Sequence, residues 1–266
     1  MSKQMYQVTK EDAKRILDYI GKDYGKCAYL YIDMRKYGFE NEHVQVWVQE
    51  NDQNEINVVL LQYYNGMHFF SRDNSFDGKL VADIIKTRSV AMVCGMKDTI
   101  EKVSPYFPDN DVEIGKVVML KEYSGIQSKD SVRAKRKDLG EIVDLLMTDE
   151  VMGGPYTREL LYSQFLERYD DNFGRSYIHR DESNGKIIAH SGTYAELDDI
   201  AVISGGIVAS EYRKNGEYAR ILGSVCKELW EEHKTVISYY YKVAAWSHKK
   251  VGFEELGEWA KLKLAK

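Results

Sequence analysis

Residues 200–233 constrain this chain more than any other stretch. Ile200-Ala-Val-Ile-Ser-Gly-Gly-Ile-Val-Ala209 is a mostly apolar, β-branched run with Gly205-Gly206 inside it, which reads as a buried strand carrying a bulge that opens its ladder. After a short polar turn, Ile221, Leu222, Val225, Leu229 and Trp230 recur at helical spacing, with Lys227, Glu228, Glu231 and Glu232 opposite, predicting an amphipathic helix over 216–233. A helix that starts just after a glycine-containing turn leaves its first N–H groups aimed at one spot, backed by the positive end of the helix dipole. That spot suits an anion, above all a phosphate. Arg213 and Lys214 add positive charge there, and Gly216 removes the side chain that would hold a phosphate away from the backbone.

The turn Tyr212-Arg-Lys-Asn-Gly216 lacks the further glycines of a dinucleotide-binding loop and the Gly-Lys-Ser/Thr ending of a Walker A loop. It is similar to the Arg-x-x-Gly-x-Gly/Ala pyrophosphate loop of the GNAT superfamily of N-acetyltransferases, preceded by that family's bulged strand. Tyr218 stands where the family has Gly or Ala, and Ala219 follows one place late. Downstream, Thr235-Val-Ile-Ser-Tyr-Tyr-Tyr241 is a strand signal, and 243–252 reads as a short helix stopped by Gly252. Lys250-Val-Gly-Phe253 resembles the GNAT ending Tyr-x-Lys-x-Gly-Phe, with His248 in the tyrosine position. Two motifs in the right order and at the right separation are much harder to obtain by chance than either alone.

The rest of the chain fits an α+β protein of two domains, divided here as 1–126 and 127–266. In the first, Thr9 caps a helix running to Ile20, and Cys27–Phe39 is a mixed segment. Val44–Glu50, Ile56–Tyr64 and Met67–Phe70 form a meander through turns at Asn51–Asn54 and Asn65-Gly66. A helix over 76–86, a strand over 90–94, a short helix over 97–103 and a strand over 112–122 follow. That order resembles the GNAT arrangement a second time, but Ser71–Gly78 carries no phosphate loop; an unrelated α+β domain is the alternative. Residues 122–130 form a polar connection. Beyond it come a first strand over 132–135, helices over 136–147 and 157–169 separated by a break at 153–156, and strands over 176–180 and 186–195. The resemblance covers roughly 130–263 in motifs and the first half only in element order. It implies a mixed, mostly antiparallel sheet flanked by helices.

Composition narrows the classes of function. A chain of 266 residues with 44% hydrophobic and 30% charged residues is globular, and no long uncharged apolar run or signal-like amino terminus is present, so no membrane partner is expected. The net charge of −5 and the single short basic run Arg133–Lys137 argue against nucleic acid. Cys27, Cys94 and Cys226 are few and widely spaced, which suits a reducing cytoplasm and small buried thiols. His179 and His190 fall in strands with no second ligand at metal spacing, so no metal is expected.

The GNAT resemblance implies acetyl transfer from acetyl-CoA to a primary amine of a small molecule or peptide by direct attack, without an enzyme nucleophile. It places the pantetheine arm along Ile207 and Val208 and the pyrophosphate on Arg213, Lys214, Asn215, Gly216, Glu217, Tyr218 and Ala219. His248 is the candidate acid for the departing thiolate, or else merely packs or contacts CoA; Glu196 is the candidate base, with Asp198 and Asp199 as other carboxylates nearby. Tyr239, Tyr240 and Tyr241 alternate across the strand that would splay from the bulged one, which turns one side of it toward the cleft. The substitutions at 218 and 248 keep open a non-catalytic CoA-binding or sensing protein, and a ligand-free scaffold is a third reading. The role of the first half, including homodimerisation, is left open.

Overall fold

The computed structural model describes residues 5–39, 41, 44–154, 156–240 and 244–264; Pro155, Tyr241 and Val243 lie outside them. Contacts divide the chain into two units, residues 1–117 with 256–266, and residues 118–255. No helix among the described residues is long and apolar enough to cross a membrane.

In the first unit, Thr9 and Asp12 form a capping box that starts a helical segment running through α1 (Ala13–Ile20), and Gly21 ends it at φ 54°. β2 (Val44–Glu50), β3 (Ile56–Tyr63) and β4 (Gly66–Phe70) make the expected meander, with β1 (Tyr6–Gln7) on its outer side. α3 (Gly78–Lys86) crosses to β5 (Met92–Met96), which pairs parallel to β4, and α4 (Lys97–Glu101) leads to β6 (Val112–Leu120). The last strand of the chain, β12 (Phe253–Lys263), pairs antiparallel with β5 from Trp259↔Met96 to Lys263↔Met92, so residues from 256 onward group with this unit. The segment read as mixed, 27–39, contains a helix, α2 (Ala28–Tyr37). Its buried residues, Ala28, Leu30, Ile32, Asp33 and Met34, fall on more than one face, so no apolar stripe announces it.

In the second unit the strand order is β11-β10-β9-β8-β7, with β7 (Val132–Arg133), β8 (Ser176–Arg180), β9 (Ile187–Glu196), β10 (Ile200–Val208) and β11 (Thr235–Tyr240). All these neighbours are antiparallel except β10 and β11, which run parallel because α7 (Glu217–Glu231) crosses between them. The sheet is therefore mixed and mostly antiparallel, as expected. α5 (Leu139–Leu146) and α6 (Arg158–Asp170) pack with Ile178, Ile187 and Ile207. On the other face α7 lays Leu222, Val225 and Leu229 on Ala201, Ile203 and Val236, each buried aliphatic side chain contributing roughly 1.5–3 kcal/mol. α8 (Ala245–Val251) joins the same core through Val251 and ends at Gly252, φ 115°.

The segment after β6 is pressed against α7. Ser128 N–H donates to Ser224 Oγ at 3.1 Å, and a Cβ at Gly223 would fall onto the carbonyl of Ile126. Gly223→Ala is therefore expected to destabilise the protein by about 1–3 kcal/mol through overpacking. A chemical-denaturation midpoint equal to that of the parent would contradict this close approach.

Candidate functional site

The bulge read from Gly205-Gly206 is present. Between β9 and β10 the register runs Ser204↔Gly192 and then Ile207↔His190, leaving Gly205 and Gly206 without partners. Gly205 sits at φ +65°, a conformation that favours glycine. On the other side, among the described residues, β10 pairs with β11 only from Ile200↔Thr235 to Ile203↔Ser238, although β10 continues to Val208 and β11 to Tyr240. The two strands thus part after Ile203, so Ile207 and Val208 lie on the stretch of β10 that has left β11.

The closed end of this fork is clamped by charge. Glu196 accepts from Arg175 Nε at 3.0 Å, from Lys234 Nζ at 2.7 Å and from Thr193 Oγ1 at 3.0 Å. Arg175 also pairs with Glu228 at 2.9 Å and Glu232 at 2.7 Å, and Tyr177 donates to Glu228 at 2.6 Å. The Arg175 proton is held more tightly than usual: burial opposes its charge, but the three carboxylates outweigh that cost. Glu196, named from the sequence as a base, is therefore part of an ion network around the buried Arg175, with both of its oxygens engaged. Nothing in the sequence pattern joins residues 175, 196, 228, 232 and 234.

At the other end, Lys214 (φ 71°) and Gly216 (φ 81°) turn the chain into α7. Gly216 is the N-cap and gives no side-chain cap, whereas α3 is capped by the Asp77 carboxylate, which accepts from Lys79 N–H at 2.9 Å. The two helices differ in this way at the place where an anion would bind. Arg213 is turned back: its Nε donates to Val208 O at 2.8 Å and its guanidinium lies 3.6 Å from Asp149, so it braces the turn. Lys214 and Asn215 are exposed. Glu217 is 4% exposed and pairs with His179 Nδ1 at 2.5 Å and Arg220 at 2.6 Å. Its carboxylate meets the helix dipole from inside the protein, a pairing that strand periodicity at His179 could not reveal.

Tyr218, half-buried, packs against the core beneath α7. A Cβ at Gly206 would clash with the hydroxyl-bearing edge of its ring, 2.5 Å from the hydroxyl oxygen and 2.8 Å from Cζ, and the same ring meets His248 edge-on at 5.9 Å. The strand lacks a side chain at 206 and the helix supplies a ring there, with burial pushing the phenol pKa up. Ala219, next on the helix, is buried.

His248 is 1% exposed, stacked on Tyr240 at 4.4 Å and edge-on to Phe253 at 5.2 Å. Nδ1 lies 3.0 Å from Ala244 O and Nε2 lies 2.9 Å from Ser238 Oγ. A carbonyl only accepts, so Nδ1 carries the proton and Nε2 accepts from the Ser238 hydroxyl. Burial lowers the His248 pKa to about 4, so the ring is neutral near pH 7 and is not the imidazolium that an acid role calls for. His248 and Tyr218 are brought together, while Glu196 belongs to the opposite end of β10.

These elements, with the parted parallel strands and the uncapped helix after a glycine turn, define a GNAT fold. A GNAT acetyltransferase from Colwellia psychrerythraea matches at TM-score 0.59 and 13% identity, over 99% of this chain and all of that one. A GCN5-related N-acetyltransferase from Sphaerobacter thermophilus matches at TM-score 0.64 and 12% identity, over 97% and 94%. A tandem GNAT protein from the clavulanic acid biosynthesis pathway matches at TM-score 0.59 and 10% identity, over 98% of each chain. No family sequence model and no curated protein matches the sequence. At these identities the likeness establishes the fold, and it does so along nearly the whole chain.

Two expectations follow. Gly206→Ala should cost about 1–3 kcal/mol by driving a methyl into the Tyr218 ring, and Tyr218→Leu in that background should recover most of the loss; independent effects in the double-mutant cycle would contradict the contact. His190 is also buried, which lowers its pKa to about 4, so it and His248 both take up protons more readily in the unfolded chain, where the usual value is 6.5. The stability they confer is complete above about pH 6.5 and falls as pH drops toward 4, by on the order of 1–3 kcal/mol each. Urea titrations across that range check this, and a flat profile would contradict it.

Proposed function

We propose that the second unit is an acyl-CoA-dependent N-acyltransferase, with acetyl-CoA as donor and a primary amine of a small molecule or peptide as acceptor. The observation that carries this reading is the parting of β10 from β11 after Ile203, which leaves one edge of Ser204–Ile207 without a strand partner among the described residues and so open to an extended pantetheine arm. The first amides of α7, from Glu217 to Ala219, and the exposed Lys214 would receive the pyrophosphate, with Gly216 allowing close approach and Arg213 holding the turn. CoA's thiol ionises in the range of ordinary thiols, so its thiolate leaves without a dedicated acid. On this reading catalysis rests on positioning and on polarising the thioester carbonyl, and His248 and Glu196 support the fold around the cleft.

A second reading, CoA binding without turnover, is favoured by the neutral, enclosed His248 and by the engagement of Glu196 with Arg175 and Lys234. The two are separated by incubating the protein with acetyl-CoA and an amine panel while following CoA release. Release with at least one amine is expected; stabilisation by acetyl-CoA without release from any amine would favour the second reading. Lys214→Glu, which sets a like charge beside the pyrophosphate, should weaken CoA-dependent thermal stabilisation at least tenfold in apparent affinity. Undiminished stabilisation in that variant would remove the turn from the binding site.

A further inference from the structure

The bulge in β10 is held by a side chain. His190, on β9, is 0% exposed, and its Nδ1 lies 2.6 Å from the carbonyl oxygen of Gly205 while Nε2 lies 2.9 Å from Ser176 Oγ on β8. Because the carbonyl can only accept, Nδ1–H donates to it and Nε2 accepts from the Ser176 hydroxyl, which fixes the tautomer. Phe165 of α6 meets the imidazole edge-on at 5.8 Å. A Cβ at Gly205 would stand 3.2 Å from His190 Cε1, so the left-handed glycine and the imidazole are fitted to each other. The Gly205 carbonyl has thereby left the strand ladder and is bound to a ring.

The two ends of a trans peptide point in opposite directions. With the Gly205 oxygen bound to the His190 ring, the N–H of Gly206 at the other end of that peptide points away from the ring. We infer that His190 is a positioning residue: it aims the Gly206 N–H at the open side of β10, where that N–H polarises the carbonyl of a bound thioester. This rests on the acyltransferase reading above. When an amine attacks the thioester carbon, the carbonyl π pair moves onto oxygen. It returns as the C–S bond breaks, releasing the thiolate, and the amine's extra proton passes to solvent. A donor already fixed in place stabilises the oxygen charge without having to reorganise during the reaction. His190 touches neither substrate; it acts through the peptide it holds.

The test uses His190→Phe, which keeps an aromatic ring against Phe165 but cannot donate, and His190→Gln, whose amide can. The probe is acetyl-CoA labelled with ¹³C at the acetyl carbonyl, its infrared band read in the complex, alongside CoA release to an amine that the parent uses. In the parent the carbonyl band should lie below that of the free thioester. In His190→Phe it should move back toward the free position and kcat should fall roughly 10–100-fold with KM for acetyl-CoA unchanged, a smaller loss than deleting an oxyanion donor outright. His190→Gln should restore both. Ser176→Ala, which frees the tautomer while leaving the imidazole in place, serves where His190→Phe does not fold and should move the band in the same direction. An unshifted band and rate in a His190→Phe or Ser176→Ala protein that still binds acetyl-CoA would overturn the inference. Failure of the parent itself to bind acetyl-CoA would instead strike the acyltransferase reading, and this inference with it.

Discussion

A strand that must leave its neighbour partway along creates a local debt of unpaired backbone and lost packing, and the second unit is arranged around settling it at β10. The bulged peptide at Gly205-Gly206 gives up its ladder bonds and recovers one from His190, which Ser176 orients in turn. The space beside Gly206 is filled from the helix by Tyr218, whose ring rests against His248. His248 in turn ties α8 to β11 through Ser238, the residue opposite Ile203 where the strands part. Burying polar groups in such a place is tolerable only because nearly every one has a partner.

The fork also needs a fixed end. Where β10 and β11 are still paired, Arg175, Glu196, Glu228, Glu232 and Lys234 form a network of opposite charges, and Thr235 N–H donates to Asp199 O at 2.8 Å. Each charge there is matched by others, so removing a single partner is costlier than the net worth of the network. The clamp sits at one end of the strand pair, and the glycine turn into α7 lies at the other. An arm admitted between the strands would thus meet the amides of the turn at one end and a closed vertex at the other.

Much of this was legible in the sequence, and the parts that were not share a cause. The strand, bulge, turn and helix of 200–231 and the Gly252 stop show in local composition because glycine and apolar periodicity act over a few residues. At the corresponding place after β4, the Asp77 carboxylate caps α3 itself. By contrast α2 leaves no stripe in the sequence, because its buried residues fall on more than one face. Glu196 and His248 were placed correctly in the chain, yet their surroundings come from residues such as Arg175 and Lys234, or Ser238 and Tyr240, that no local pattern links to them. The same is true of His190, whose strand position was visible but whose grip on Gly205 depends on a bulge one strand away.

The most direct measurement of the central claim, that the free edge of β10 receives the acyl carrier, is amide hydrogen exchange with and without CoA. The account predicts that amides within 204–208 and at 217–219 become protected when CoA is added, while those of 78–80, at the Asp77-capped start of α3, do not change. Protection confined to other segments, or none within 204–208, would contradict it.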